Sequence, residues 1–372
     1  MKETTPATSD IDATRHWSLR RRVVGRILKF FFGRPPGRPK LKPAEIRRAL
    51  LIRHDRLGDY IITTPVIETL KRIAPDVEID VLGSPVNVSL IRHDRRIKNV
   101  TVWGHTFMSR IKAIRTCRDR DYDITFQLVT RHTTLPIIVA GLCTPRGRVV
   151  GRGHTYNRWL FDHRLNRFPI KHLAEQTFEI FLEGFDLDGP PPAIPPYSLM
   201  IPSSLIEKTR KEIHHQGLDE KNYILLNLSA SEEYRTLTKE RAAMLAIMLH
   251  ERFAPNGLQI ALTGAPEDHE QIEWVAEKSG GSVLMFSSIL KAAIGVAQAR
   301  LLISPDTGSV HIASALGTPV VAYYSESLKP AMWSPVHVPH HIVIGSKEKE
   351  TDSIELEEIV ESVNSLIEHQ SG

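Results

Sequence analysis

Asp59 stands where a carboxylate could take a proton from a substrate hydroxyl. It lies in a loop that follows an apolar run at residues 49–52, and Thr64 and Pro65 mark the start of a helix after that loop. Gly58 allows the chain to turn tightly beside it. A carboxylate placed there acts as a general base when an acceptor hydroxyl binds within hydrogen-bond reach. Alternatively Asp59 only caps a helical turn, and the spacing does not decide between these roles.

A second loop, PDTGSVH at residues 305–311, could bind a phosphate. It follows an apolar run at residues 301–304 and opens a helical pattern. The backbone N–H groups of Thr307, Gly308 and Ser309 would then be free at a helix N-terminus, which attracts anions such as a diphosphate. The alternative is an ordinary strand-to-helix turn, because neither a GxGxxG nor a P-loop fingerprint is present.

Arg235 is a candidate for a second positive charge at such a site. It comes shortly after an apolar run at residues 223–228. A guanidinium in that loop could hold a diphosphate leaving group and stabilise its charge as it departs. Taken alone, Arg235 also fits a solvated loop residue.

The sequence predicts chemistry without a metal ion or a cofactor. Its 17 histidines form no HExxH motif, and no cluster of carboxylates has the spacing of a metal site. The two cysteines, Cys117 and Cys143, have no CxxC spacing, which argues against a cysteine zinc site and a disulfide framework. Together with the lack of a secretory signal pattern, they favour a reducing, cytoplasmic setting.

Short apolar, β-branched runs alternate with helical patterns from residue 48 onward, which is typical of parallel βαβ units. Two such series follow each other, so the expected fold is α/β with two Rossmann-like domains facing across a cleft. Strands are predicted at residues 49–52, 77–82, 100–103, 124–129 and 148–150, and then at 223–228, 258–263, 282–286, 301–304, 320–324 and 341–344. Helices are predicted at residues 65–73, 106–118 and 172–185, and then at 239–253, 267–279, 289–299 and 309–316.

The predicted domain boundaries follow the composition. Residues 186–203 contain six prolines and little periodicity, so they are interpreted as an interdomain linker. The N-terminal domain would occupy residues 48–185 and the C-terminal domain residues 204–372. Residues 1–47 form a basic arm, in which the segment 33–43, rich in Pro and Gly, is expected to be a linker.

The basic charge of the chain is concentrated in the arm. Residues 1–48 hold 13 Lys and Arg against 4 Asp and Glu, and the rest holds 35 against 39, so the body is mildly acidic and a poor nucleic-acid binder. Residues 15–32 predict an amphipathic helix on an anionic membrane surface, although a disordered basic tail is the alternative. The helix would gather Trp17, Val24, Ile27, Leu28 and Phe31 on one side and Arg15, Arg22, Arg26 and Lys29 on the other.

Several segments together resemble glycosyltransferase family 9, the ADP-heptose:lipopolysaccharide heptosyltransferases. The strongest are LLIRHDRLGDYIITTPVIETLKRIAPDVEIDVL and LLISPDTGSVHIASALGTPVVAYYSES, with LTGAPEDHE in support, and the likeness spans residues 48–345. The resemblance implies the two-domain GT-B fold and an inverting transfer of a sugar from a nucleotide diphosphate to an acceptor hydroxyl. It further implies that no cofactor is needed and that residues 204–372 bind the donor. A C-terminal helix, predicted at residues 353–369, would by the same likeness pack back on the first domain.

The resemblance also implies roles for individual residues. Asp59 would be the general base, and Arg53 would line the acceptor side with it. His311 and Asp306 would in part only fix their loop. The donor side would be lined by Ser229, Arg235, Asp268, Asp306, Thr307, Gly308 and His311.

The chain departs from the family pattern at one place. Where family members show Lys-x-Trp-Pro, this chain has Arg235-Thr236-Leu237-Thr238, which keeps the charge but not the aromatic ring or the proline. The donor sugar and its base are therefore left open. Transfer of another sugar, transfer to a protein, nucleotide-sugar epimerisation and non-catalytic binding remain as alternatives.

The acceptor is inferred from the arm. An enzyme held at an anionic inner leaflet would meet a growing lipid-linked saccharide, such as the lipopolysaccharide core. Arg131, Arg152 and Arg158 could contact acceptor phosphates or acids, or could simply form a solvated basic surface.

Overall fold

A computed structural model describes residue 26 and residues 29–129, 134–153, 155–166 and 170–369. Two six-stranded sheets, one in each half of the chain, form the framework, and their hydrogen-bonded neighbours run parallel. This arrangement confirms the expected α/β fold with two Rossmann-like domains.

The first sheet places its central strand at the point where the strand order reverses. It consists of β1 (Arg48–Arg53), β2 (Glu78–Gly83), β3 (Ile97–Val102), β4 (Ile124–Gln127), β5 (Arg148–Arg152) and β6 (His163–Leu165), in the order β3-β2-β1-β4-β5-β6. β1 is buried from Ala49 to Arg53 and pairs with both β2 and β4. Ligands bind to sheets of this kind beyond the carboxyl ends of the strands at such a reversal.

Helices cover both faces of the first sheet. They are α1 (Leu57–Ile61), α2 (Thr64–Ile73), α3 (Val88–Ile91), α4 (Phe107–Arg118), α5 (Thr134–Cys143) and α6 (Leu173–Leu182). Because alternate side chains of a strand point to opposite faces, Leu50 and Ile52 pack with α4 and α5, whereas Ala49 and Leu51 pack with α2, α3 and α6. β6, α1, α3 and α5 were not predicted from the sequence.

The second sheet repeats the topology of the first. It consists of β7 (Tyr223–Asn227), β8 (Gln259–Thr263), β9 (Ser282–Val283), β10 (Leu301–Pro305), β11 (Val320–Tyr324) and β12 (His340–Ile344), in the order β12-β11-β10-β7-β8-β9. Its reversal lies between β7 and β10. The helices are α7 (Ser203–His214), α8 (Lys239–Phe253), α9 (His269–Ser279), α10 (Ile289–Gln298), α11 (Gly308–Leu316), α12 (Pro330–Trp333) and α13 (Leu356–Glu368).

The terminal helix contradicts one expectation. α13 packs on β11, β12 and α8 of the second domain, where Ile359 and Val363 are buried in the same core as Leu245 and Leu249. The expectation that it would return to the first domain is wrong, because its apolar side completes the second domain's own core.

The segment 33–43 lies against the first domain and does not extend from it as the predicted linker would. The Arg34 backbone donates to Trp159 O at 2.8 Å, and its guanidinium binds Asp162 and the Gly147 carbonyl. Arg38 donates to Gly147 O at 2.8 Å, and Leu41 pairs with the chain beyond α6. Buried carbonyls and a carboxylate thus give this Pro- and Gly-rich segment specific partners.

The two domains are in direct contact. Residues 186–202, which contain no helix or strand, join them, and apolar packing continues from α1 to α11 and from α3 to α10. No helix in the described part of the chain is long and apolar enough to cross a bilayer.

Candidate functional site

The loops after β1 and β10 meet between the domains. A Cβ atom added to Gly308 would lie 3.4 Å from Leu57 Cβ and 3.6 Å from the backbone nitrogen of Gly58. The start of α1 in one domain therefore touches the start of α11 in the other. The loop predicted to carry the general base and the loop predicted to bind a phosphate therefore lie in contact.

Asp59 is buried at this junction, and only one of its two carboxylate oxygens accepts a hydrogen bond from the part of the chain that the structure describes. Oδ2 accepts a hydrogen bond from the Arg56 backbone at 3.2 Å, so the residue does cap its helical turn. Oδ1 is buried and accepts no hydrogen bond from the described residues, although Arg53 Nη2 lies 3.8 Å away. The cap therefore uses only one of the two carboxylate oxygens, and a role as base requires the cleft to open so that an acceptor hydroxyl can reach Oδ1.

Arg53 is fully buried at the end of β1 and holds the Asp59 loop. Its Nε donates to Asp59 O at 2.7 Å, and Nη1 binds Leu128 O and, at 3.3 Å, Asp55 Oδ2. A buried guanidinium with these partners fixes the loop and keeps a positive charge beside Asp59. Arg53 was predicted to line the acceptor side, and its contacts are with the loop itself.

The loop after β10 is organised by a residue that sequence reasoning missed. Asn227, at the end of β7, donates to Ser304 Oγ at 3.1 Å and to Thr307 Oγ1 at 3.4 Å. Thr307 in turn accepts from the Ser309 backbone at 3.3 Å and so caps α11. A polar side chain at the end of a central strand was the available signal, since β7 and β10 flank the reversal of the sheet.

Arg235 lies beside Asp306, as the grouping of donor-side residues requires. Its Nη1 is 3.5 Å from Asp306 Oδ2, and its guanidinium lies over the Tyr234 ring at 5.5 Å. Burial raises the pKa of Asp306, and the neighbouring charge of Arg235 opposes that shift. The pair places a cation next to the start of α11.

Arg56 links the two domains across the cleft and was not predicted. From the Asp59 loop it reaches Ser231 Oγ at 3.1 Å and Glu232 Oε1 at 3.3 Å, in the segment just before Arg235. The side chain is half exposed, so the ion pair itself is weak. The contact shows that the segment after β7 closes over the Asp59 loop.

His311 fills the centre of the interface. It is fully buried, its ring centroid is 5.5 Å from that of Trp333, and burial lowers its pKa to about 3. A Cβ on Gly58 would lie 2.7 Å from His311 Cδ2, so the imidazole packs directly on the backbone of the other domain. His172 at the start of α6 adds a second link, with Nε2 3.0 Å from Ser334 O.

Two further donor-side residues lie in neighbouring loops. Ser229 is buried after β7, and its hydroxyl accepts from the Ala265 backbone at 2.7 Å, which joins the loops after β7 and β8. Asp268 is partly exposed and immediately precedes α9. The structure therefore groups Ser229 with the cleft loops and places Asp268 farther out in the loop after β8.

The three candidate acceptor arginines fall in different places. Arg152 ends β5 at the ligand edge of the sheet, where Nη1 binds Gln176 of α6, and burial lowers its pKa. Arg158 is exposed in a turn between β5 and β6. Arg131 lies outside the described residues.

A sequence model of glycosyltransferase family 9 (heptosyltransferase) matches residues 110–363. The chain belongs to glycosyltransferase family 9. Lipopolysaccharide heptosyltransferase 3 of Escherichia coli is 23% identical over 287 residues, which cover 72% of this chain and 80% of that protein.

Solved structures show the same fold. A family 9 glycosyl transferase from Veillonella parvula superposes with a TM-score of 0.75 at 17% identity, over 89% of this chain and 99% of the other. The E. coli ADP-heptose lps heptosyltransferase II gives a TM-score of 0.71 at 18% identity, over 87% and 100%. These likenesses confirm the GT-B architecture.

Among the described residues, no group of three or more His, Cys, Asp or Glu side chains is placed to hold a metal ion. The independence of metal and cofactor stays a prediction. The roles of the individual site residues are likewise predictions, which the geometry makes specific.

Proposed function

We propose that this glycosyltransferase is an inverting heptosyltransferase that moves a heptose from ADP-heptose to a hydroxyl of a lipopolysaccharide core. The observation that carries the proposal is the buried Oδ1 of Asp59, which accepts no hydrogen bond from the described residues and lies in the loop that touches the start of α11. Membership in family 9 and the names of its heptosyltransferase relatives support the choice of donor and acceptor.

Asp59 acts as the general base in this mechanism. Its Oδ1 takes the proton of the acceptor hydroxyl while that oxygen forms a bond to the anomeric carbon. The bond between that carbon and the diphosphate oxygen breaks on the opposite side, and ADP leaves with the electron pair. Arg53 keeps the loop in place through its bond to Asp59 O.

The donor domain stabilises the departing ADP. Developing negative charge on the diphosphate is met by Arg235 and by the N–H groups at the start of α11, where the helix dipole is positive. Both are held before substrate arrives, Arg235 by Asp306 and the helix start by the Thr307 cap. We propose that the reaction therefore needs neither a metal ion nor a cofactor.

The test is nucleotide release from ADP-heptose, with and without a truncated lipopolysaccharide acceptor. A positioned general base is worth about 10²–10⁴ in rate, so Asp59→Ala and Asp59→Asn should each lower acceptor-dependent kcat by that factor. Asp76→Asn makes the same chemical change at an exposed turn of the same domain and should leave kcat unchanged. Turnover by Asp59→Asn at the wild-type rate would rule out the base.

Another nucleotide sugar is the second candidate donor. The specific observation is the Arg235–Tyr234 contact in the segment that differs from the family's Lys-x-Trp-Pro. A panel of nucleotide sugars separates the donors by kcat/KM. Consumption of donor without acceptor and without a transfer product would instead indicate an epimerase.

We propose further that the enzyme works on the cytoplasmic side of a membrane that carries its acceptor. The basic residues of the arm support this location, together with Phe30 and Phe31, which are largely exposed. The helix predicted at residues 15–32 lies outside the described residues except for residue 26 and residues 29–32, which are helical.

A further inference from the structure

One face of the first domain carries the arm, α4 and α5 side by side. Phe32 of the arm packs on the same small core that buries Ala113 and Cys117 of α4 and Ile137 of α5. The three elements therefore form one layer, called here the outer layer, on one side of the first sheet.

The outer layer exposes apolar side chains. Phe30, Phe31, Phe107 and Met108 are the four most exposed large hydrophobic residues of the described chain, at 85, 69, 75 and 70%. Leu135 at the start of α5 is a further exposed apolar residue of this layer, at 53%. A concentration of exposed apolar side chains in one layer marks an interaction site.

The charge of α4 identifies the partner. Residues 107–118 contain Arg110, Lys112, Arg115 and Arg118 and no acidic residue, in a body whose net charge is negative. Met108, Lys112 and Arg115 line one shallow groove along the helix. Asp119, directly after the helix, lines the far end of the same groove. A helix with apolar side chains at its start and four basic residues against one neighbouring carboxylate is complementary to an anionic lipid surface.

The direction of α4 places its apolar end beside the cleft. α4 follows β3 and α5 follows β4, so both helices begin near the carboxyl edge of the sheet, the edge that also carries Asp59. Phe107, Met108 and Leu135 therefore lie at the rim where an acceptor would enter.

We propose that α4 is a second membrane-docking element, which acts beside the arm and holds the acceptor opening against an anionic leaflet. Phe107 and Met108 enter the headgroup region, and Lys112 and Arg115 contact lipid phosphates. The inference rests on the proposed function in two respects, namely that the acceptor is lipid-linked and that the arm lies at the membrane.

The test is co-sedimentation of the full chain with vesicles of phosphatidylglycerol and phosphatidylcholine. A basic residue near such a surface contributes about fivefold to partitioning, so Lys112→Glu/Arg115→Glu should bind at least about 25-fold more weakly. Phe107→Ser/Met108→Ser should also weaken binding, through loss of the inserted side chains. Lys208→Glu/Lys211→Glu on α7 and Met244→Ser on α8 change exposed residues of the other domain and should bind like the wild type.

Each outcome has a clear meaning. Wild-type binding by both α4 variants would overturn the proposal, as would equal binding of the wild-type chain to vesicles of phosphatidylcholine alone. An altered sedimentation mass of the α4 variants without loss of vesicle binding would assign the face to a second copy instead. Thermal unfolding confirms that the variants are folded, and absence of ADP release by the wild type would refute the proposed function without changing the vesicle result.

Discussion

Replacing Gly58 by Ala tests whether the two domains are packed as tightly as the structure indicates. The added Cβ would lie 2.7 Å from His311 Cδ2, whereas ordinary contacts begin at 3.4 Å, so about 0.7 Å of movement is required. His311 has little room to supply it, because the ring is fully buried beside Trp333. The strain must therefore shift the start of α1 or separate the domains.

The expected cost has a structural and a catalytic part. Inserting a methyl group into a packed interface costs about 1–3 kcal/mol of unfolding free energy. Asp59 is the next residue, and misplacing a catalytic group by about 1 Å can cost on the order of 100-fold in rate. Both effects have the same cause, so they should appear together.

Urea unfolding and acceptor-dependent ADP release measure the two parts. Gly141→Ala is the matched control, because a Cβ at Gly141 in α5 meets no atom within 4 Å, and it should stabilise the chain slightly. If Gly58→Ala unfolds at the wild-type urea concentration and keeps the wild-type kcat, the contact between His311 and Gly58 is not a tight one and the argument fails.

Two further results follow from the charges of the interface. Burial lowers the pKa of His311 to about 3, so between about pH 6.5 and pH 3 this residue is protonated in the unfolded chain and neutral in the folded chain. Stability should therefore decrease as the pH is lowered through that window. The loss from this group is about 2 kcal/mol at pH 5, and His311→Gln should reduce the difference in urea-unfolding free energy between pH 7.5 and pH 5 by that amount; an unchanged difference would contradict it. Arg235→Ala should lower kcat by about 10²–10³ and Arg235→Lys by less, measured by ADP release, and an unaltered kcat in Arg235→Ala would exclude a role at the leaving group.

Periodicity predicted most of the long elements but missed α7, which has 12 residues and follows directly on the proline-rich linker, and the four-residue α12. The other elements it missed are short or lack a polar face. β6 has three residues and two of them are polar, while α1 and α3 have five and four residues, too few for a repeat. α5 is apolar on all sides and contains Pro136, so it has no polar face to detect. α13 packs on the second domain because that domain's core needs its apolar side. Whether a helix packs on the first or the second domain cannot be read from its own residues.

The candidate site was predictable where it follows strand ends. The loops with Asp59 and Thr307 were found because the ligand edge of a parallel sheet is fixed by topology. The contacts of Arg56 with Ser231 and Glu232 join positions 175 and 176 residues apart, and they exist only once the domains are docked. Asn227 was missed because its role depends on the neighbouring strand β10.

The bonds of Arg34 and Arg38 would limit the motion of the enzyme in the proposed membrane-bound state. A free chain over residues 33–43 would give the catalytic domain a reach of about 18 Å around its anchor. Because Arg34 is instead bound to Asp162 and Gly147, residues 29–43 and the domain would rotate as one unit. The acceptor opening would then keep a constant height and tilt above the lipid, and encounters with acceptors would be governed by lateral diffusion in two dimensions.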